Sequence, residues 1–105
     1  MQKLSETEVA AEMKNLPYWS LDATVGAITR EYVCKDFIQA FGFMTQVAIT
    51  AEKRNHHPEW SNVYQRVRVT WTTHDANGLT MNDIDMAQFC DTVFALFAGN
   101  VEPVQ

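Results

Sequence analysis

Cysteine is scarce in this chain: only Cys34 and Cys90 are present. They stand far apart with no metal-type spacing, which argues against a disulfide framework or a zinc finger and predicts two reduced thiols. Positive charge is short as well. With 8 Lys and Arg against 13 Asp and Glu, the net charge is -5, so the chain lacks the basic clusters that neutralise phosphates in direct nucleic-acid binding. No apolar run reaches the length of about 18 residues that a bilayer span requires. Met1 to Lys14 is polar and has no apolar core of the signal-peptide kind, which predicts a cytosolic chain. What remains is a composition with 47% hydrophobic and 20% charged residues over 105 positions, the profile of one ordinary globular domain spanning 1–105.

The elements follow from local signals. Ser5 with Glu8 is a capping box, Leu4 and Val9 are spaced for a hydrophobic staple, and Val9, Met13 and Leu16 form a narrow stripe, so a first helix runs to about Asn15 before Pro17. Tyr18 to Leu21 and Ala27 to Val33 read as strands joined through Asp22 to Gly26. Asp36 and Gln39 offer a second cap, and Phe37 to Lys53 reads as a helix. Trp60 to Tyr64 and Val67 to Thr73 are β-rich, either as two strands turning at Gln65-Arg66 or as one bent strand. Asn77-Gly78 marks a turn. Thr80 caps a last helix with Asp83 at its third position, expected to end near Gly99 with a tail through Pro103. The expected fold is α+β, an antiparallel sheet of three to four strands with three helices packed on one face, in the order α-β-β-α-β(-β)-α.

The middle helix carries more apolar residues than one face can hold. Phe37, Phe41, Met44, Ala48 and Ala51 make one stripe, and Ala40, Phe43 and Val47, with Ile38 and Ile49, widen it. Such a helix needs cover on two sides, and in a small chain the second cover is most simply another subunit.

Histidine is the third scarce residue, and its placement is informative. Two of the three copies, His56 and His57, stand side by side after the middle helix, and His74 follows the last strand pattern. With an unperturbed pKa of roughly 6.5, histidine is the side chain suited to giving and taking protons near neutrality. Pro58 pushes His57 out of helical geometry, so the pair lies in an extended or turning loop. Glu52, four residues before His56, is placed to accept its hydrogen bond. If the sheet brings the two loops together, three histidines and two or three carboxylates share one cleft. Each residue also has a plainer reading: a loop histidine as a solvated polar group, Glu52 as a solvated helix residue, Asp83 as a cap, Trp60 and Trp71 as core aromatics. A metal site lacks its usual spacing, such as His-Glu-x-x-His on a helix face. No Ser or Cys stands in a nucleophile setting.

These residues carry a resemblance. The pattern Glu52-Lys53-x-x-His56-His57-Pro58-x-Trp60-x-x-Val63-Tyr64, then Val67-x-Val69, Thr73-His74 and Gly78-Leu79-Thr80-x-x-Asp83, closely resembles the pterin-4a-carbinolamine dehydratase family. Lys35-Asp36-Phe37 and Ala40-Phe41-Gly42-Phe43-Met44 look like that family's central helix, so the likeness runs from about Trp19 to Phe97. Its animal members are also dimerisation cofactors of a hepatocyte homeodomain transcription factor.

The resemblance implies dehydration of 4a-hydroxytetrahydropterin, in tetrahydrobiopterin recycling, to the quinonoid dihydropterin, with no cofactor and no metal. It implies His56 and His74 as the acid/base pair and His57 as the residue that binds and orients the pterin. Glu52, Asn55, Pro58, Trp60, Thr72, Thr73, Asp75 and Asp83 are then substrate-binding or supporting positions, with Asn55 standing where an acidic residue is frequent. A homotetramer built as a dimer of dimers is implied, in the cytoplasm, with a nuclear location and a transcription-factor partner attached to the coactivator role.

Overall fold

A computed structural model describes residues 2–98. The expected end of the last helix at Gly99 and the tail through Pro103 lie outside the described residues. Ser5 opens α1 (Glu6–Met13) with both halves of the expected capping box: the Glu8 amide donates to Ser5 Oγ at 3.1 Å, and the Ser5 amide donates to Glu8 Oε1 at 2.8 Å. Val9 and Met13 turn toward the core, while Leu16 reaches it from beyond the helix.

The first strand begins later than the sequence suggests. β1 is Ser20–Asp22, not Tyr18 to Leu21, because the Trp19 amide closes a turn onto the Leu16 carbonyl at 3.1 Å and the Trp19 indole is buried. Tyr18 is left on the outside of that turn, 71% exposed. β2 (Ala27–Val33) pairs antiparallel with β1. The later β-rich segment is two strands, β3 (Glu59–Val63) and β4 (Arg66–Trp71), joined through Tyr64 and Gln65. Tyr64 takes a left-handed φ of 53°, and Asn62 Nδ2 donates to the Tyr64 and Arg66 carbonyls across the bend. β4 stops at Trp71, short of the expected Thr73. The sheet order is β1-β2-β4-β3.

Alternation divides the sheet into two surfaces. Ile28, Tyr32, Val67, Val69 and Trp71 are buried, whereas Glu31, Arg66 and Arg68 are exposed. α2 (Phe37–Arg54) and α3 (Met81–Ala98) pack together over β4. α2 starts at Asp36, whose Oδ1 accepts from the Gln39 amide at 2.8 Å. It buries Ala40, Phe43 and Val47, which widen the apolar stripe, together with Ala51 from the stripe itself. Phe37, Ile38, Phe41, Ala48 and Ile49 remain exposed, so one face of the doubly apolar helix is covered within the chain and the other is not. Among the described residues no helix is long and apolar enough to cross a membrane.

Away from the histidines, Asp91 ties α3 to β2 and to the turn that precedes β1. It accepts from Trp19 Nε1 at 3.1 Å, Arg30 Nη1 at 2.7 Å and the Tyr32 hydroxyl at 2.5 Å. Burial pushes the Tyr32 phenol far above its usual range, with neighbouring Cys90 and Asp91 adding to the effect.

Candidate active site

The end of α2 sets the geometry of the histidine pair. Asn55 takes a left-handed φ of 53°, and the His56 amide bonds back to the Ala51 carbonyl at 3.0 Å. This is the helix-terminating reversal that Asn tolerates. It turns the chain inward at His56, while Pro58 holds the following segment extended as it enters β3.

His56 is the inner histidine. Its Nε2 lies 2.6 Å from Asp83 Oδ1, with side-chain exposures of 11% and 0%. Its ring stacks on Trp71 at 5.6 Å between centroids and 15° between planes. Asp83 Oδ2 accepts from Thr73 Oγ1 at 2.7 Å and from the Thr80 amide at 2.9 Å, and the two threonine hydroxyls are 2.9 Å apart. Asp83 is therefore a cap, as its position predicts, and also the partner of His56. Through it the α2–β3 loop meets Thr73, the neighbour of His74.

The other two histidines are outer. His57 Nε2 is 2.9 Å from Glu52 Oε1, and His74 Nε2 is 2.7 Å from Glu59 Oε2, with every one of these side chains more than half exposed. Glu52 thus meets His57 rather than His56, because the reversal at Asn55 ends the helical spacing that would have brought His56 to it. Each histidine has a carboxylate of its own. Among the described residues, no group of three or more His, Cys, Asp and Glu side chains is arranged to hold a metal ion.

The remaining expected positions divide by burial. Asn55 and Asp75 are exposed, and Pro58 and Trp60 are half-buried. Trp60 packs against the core, as its plainer reading has it. Thr72 spends its hydroxyl on the Gly26 carbonyl at 2.7 Å, tying the β1–β2 turn to the loop that carries His74. That loop is a short 3-10 turn, His74–Ala76, closed by a bridge between Thr73 and Gly78. Here the backbones nearly touch: a Cβ on Gly26 would lie 2.6 Å from Gly78 Cα, and Gly26 has a left-handed φ of 71°.

Beside His56 a hollow of about 500 Å³ opens between the end of α2 and α3, lined in part by Arg54, Asn82, Asp85, Phe89 and Thr92. His57 and His74 do not line it, so the three histidines do not share this hollow.

Two partners escaped the sequence reading. Glu59 stood in the histidine loop, between Pro58 and Trp60, but its meeting with His74 depends on β3 pairing with β4, where Glu59 faces Thr70. Trp71 was read as core. It is fully buried, yet its ring is also the floor under His56.

The family model described as "Pterin 4 alpha carbinolamine dehydratase" matches residues 2–93. A protein of Burkholderia vietnamiensis (strain G4 / LMG 22486), named "Putative pterin-4-alpha-carbinolamine dehydratase", is 52% identical over 95 residues, covering 90% of this chain and 93% of its own. One of the same name from Rhizobium etli is 52% identical over 87 residues, covering 83% and 86%. A crystal structure described as "transcriptional coactivator/pterin dehydratase from Brucella Melitensis" superimposes with a TM-score of 0.84 at 46% identity, over 88% of this chain and 98% of that one. The chain belongs to the pterin-4-alpha-carbinolamine dehydratase family and is a hydro-lyase.

Proposed function

We propose that this protein dehydrates 4a-hydroxytetrahydropterin to quinonoid dihydropterin and water in tetrahydrobiopterin recycling, with residues 1–105 acting as one domain in the cytoplasm. The observation that carries the reading is the pairing of each histidine with its own carboxylate, one of these pairs lying inside the protein. In the reaction a base removes the proton from ring N5, the electron pair released forms the N5=C4a bond, and the C4a–O bond breaks. An acid protonates the departing hydroxyl to give water, and solvent restores the two side chains.

Such a step needs two proton carriers on opposite duties near neutral pH, which histidines can supply. His56 and His74 are the acid/base pair. His57, oriented by Glu52, binds the pterin, and the backbone from Thr72 to Asp75 lines its ring. Asn55, Pro58 and Trp60 shape the same surface, and Asp83 orients His56. The test is a coupled assay with an aromatic amino-acid hydroxylase, following decay of the 4a-hydroxypterin. Acceleration over the spontaneous reaction is expected, and its absence would sink the reading. Combined His56→Ala and His74→Ala should remove the acceleration while leaving assembly intact.

A second reading rests on the uncovered apolar face of α2. That surface suits self-association into a homotetramer, as a dimer of dimers. The same face suits a role as dimerisation cofactor or coactivator of a homeodomain transcription factor, in keeping with the coactivator description of the Brucella relative. The histidines serve only the enzymatic role.

A further inference from the structure

The hydrogen bonds around Asp83 can be assigned a direction, proton by proton. Oδ2 accepts from the Thr80 amide at 2.9 Å and from Thr73 Oγ1 at 2.7 Å. Because Thr73 spends its only hydroxyl proton there, the 2.9 Å contact between the two hydroxyls must run the other way, with Thr80 Oγ1 donating to Thr73 Oγ1. The Thr80 oxygen in turn accepts from the Asn82 amide at 3.3 Å. Every proton in this chain points toward Asp83, as an acceptor-only carboxylate requires. Its remaining oxygen, Oδ1, meets His56 Nε2 at 2.6 Å, so the proton in that contact belongs to Nε2.

We infer that His56 is locked as the Nε2–H tautomer and exchanges the reaction's proton at Nδ1, with Asp83, Thr73 and Thr80 as positioning residues. Trp71 completes the restraint by fixing the plane of the ring. The hydroxyl chain also explains why two threonines flank a carboxylate that already has a backbone donor: they fill Oδ2 and leave Oδ1 for the histidine alone. His57 and His74 have no such lock, since Glu52 and Glu59 are exposed and, among the described residues, the side chain of each meets only its histidine. The role of Nδ1 rests on the dehydratase reading above, whereas the tautomer does not.

The discriminating variant is Asp83→Asn. Its carboxamide oxygen must stay with the Thr73 and Thr80 donors, which turns the NH₂ group toward His56 Nε2. Nε2 then has to accept, and the proton moves to Nδ1, the wrong-tautomer outcome known from replacing a triad aspartate by asparagine. Nitrogen-15 NMR of protein labelled at histidine reads which ring nitrogen is protonated without any substrate, and kcat is measured in parallel. The expected result is Nε2–H in the native protein, Nδ1–H in Asp83→Asn, and a fall in kcat on the order of 10³- to 10⁴-fold with KM little changed. A native spectrum showing Nδ1–H overturns the inference, and it needs no variant to fold. Inversion of the tautomer with undiminished kcat overturns the role of Nδ1. A native Nε2–H signal in a protein without dehydratase activity upholds the tautomer and overturns the proposed reaction instead.

Discussion

Cys34 and Cys90 are buried, and burial disfavours the thiolate. It pushes the Cys34 thiol from 9.0 to about 11, with Asp36 adding to the effect, and the Cys90 thiol from 9.0 to about 12. Both pKa values are raised on folding, so the stability they contribute is fully present below pH 9 and is lost as pH rises from there toward 11 and 12. Each pH unit in that window costs up to about 1.4 kcal/mol per thiol. The urea midpoint should therefore hold between pH 7 and 8.5 and fall steeply above pH 9, and a Cys34→Ala, Cys90→Ala variant should show a shallower fall. An alkylating reagent at pH 8 should label neither thiol until the chain is unfolded. At this scale much was legible. The reduced cysteines and the value of Asp83 as a cap follow from residue type and spacing. Which carboxylate each histidine meets did not, because Asn55 reverses the chain and that reversal decides between His56 and His57 as the partner of Glu52.

Element boundaries were legible where a side chain caps the backbone and illegible where tertiary burial overrides. Ser5 and Asp36 start their helices as the sequence predicts. β1 slipped because Trp19 gains more from burial beside Asp91 than from joining a strand, and no local pattern announces Asp91, which lies far along the chain. The cap of α2 provides a clean test. Asp36→Ala removes the acceptor of the Gln39 amide and should cost about 1 kcal/mol. Chemical denaturation should show that loss with dehydration unchanged, since α2 delivers His56 from its opposite end. A loss of activity at full folding would mean that the two ends of the helix are coupled.

For the whole molecule, the run of local caps, alternations and turns foretold the α+β class and the element order, but not that β4 lies between β2 and β3. That order arises from a crossover in which α2 carries the chain over the sheet, and pairing across such a distance leaves no local mark. Periodicity shows that α2 is apolar on two stripes but not which of them meets the sheet: Phe43 and Val47 face inward and Phe41 outward. If the outward stripe builds an oligomer, sedimentation at micromolar concentration should find no monomer, and Phe41→Glu should release one with its fold retained. A native monomer would contradict this.

The near-contact of Gly26 with Gly78 has a consequence for how this chain tolerates change. The β1–β2 turn has no room to grow toward the end of the His74 loop, so a side chain at Gly26 would be felt in that loop without touching any histidine. The restriction runs one way: a side chain at Gly78 would press on the flexible end of Lys3, whereas one at Gly26 would press on backbone, so the hairpin tip is tied to the loop of a histidine it never meets.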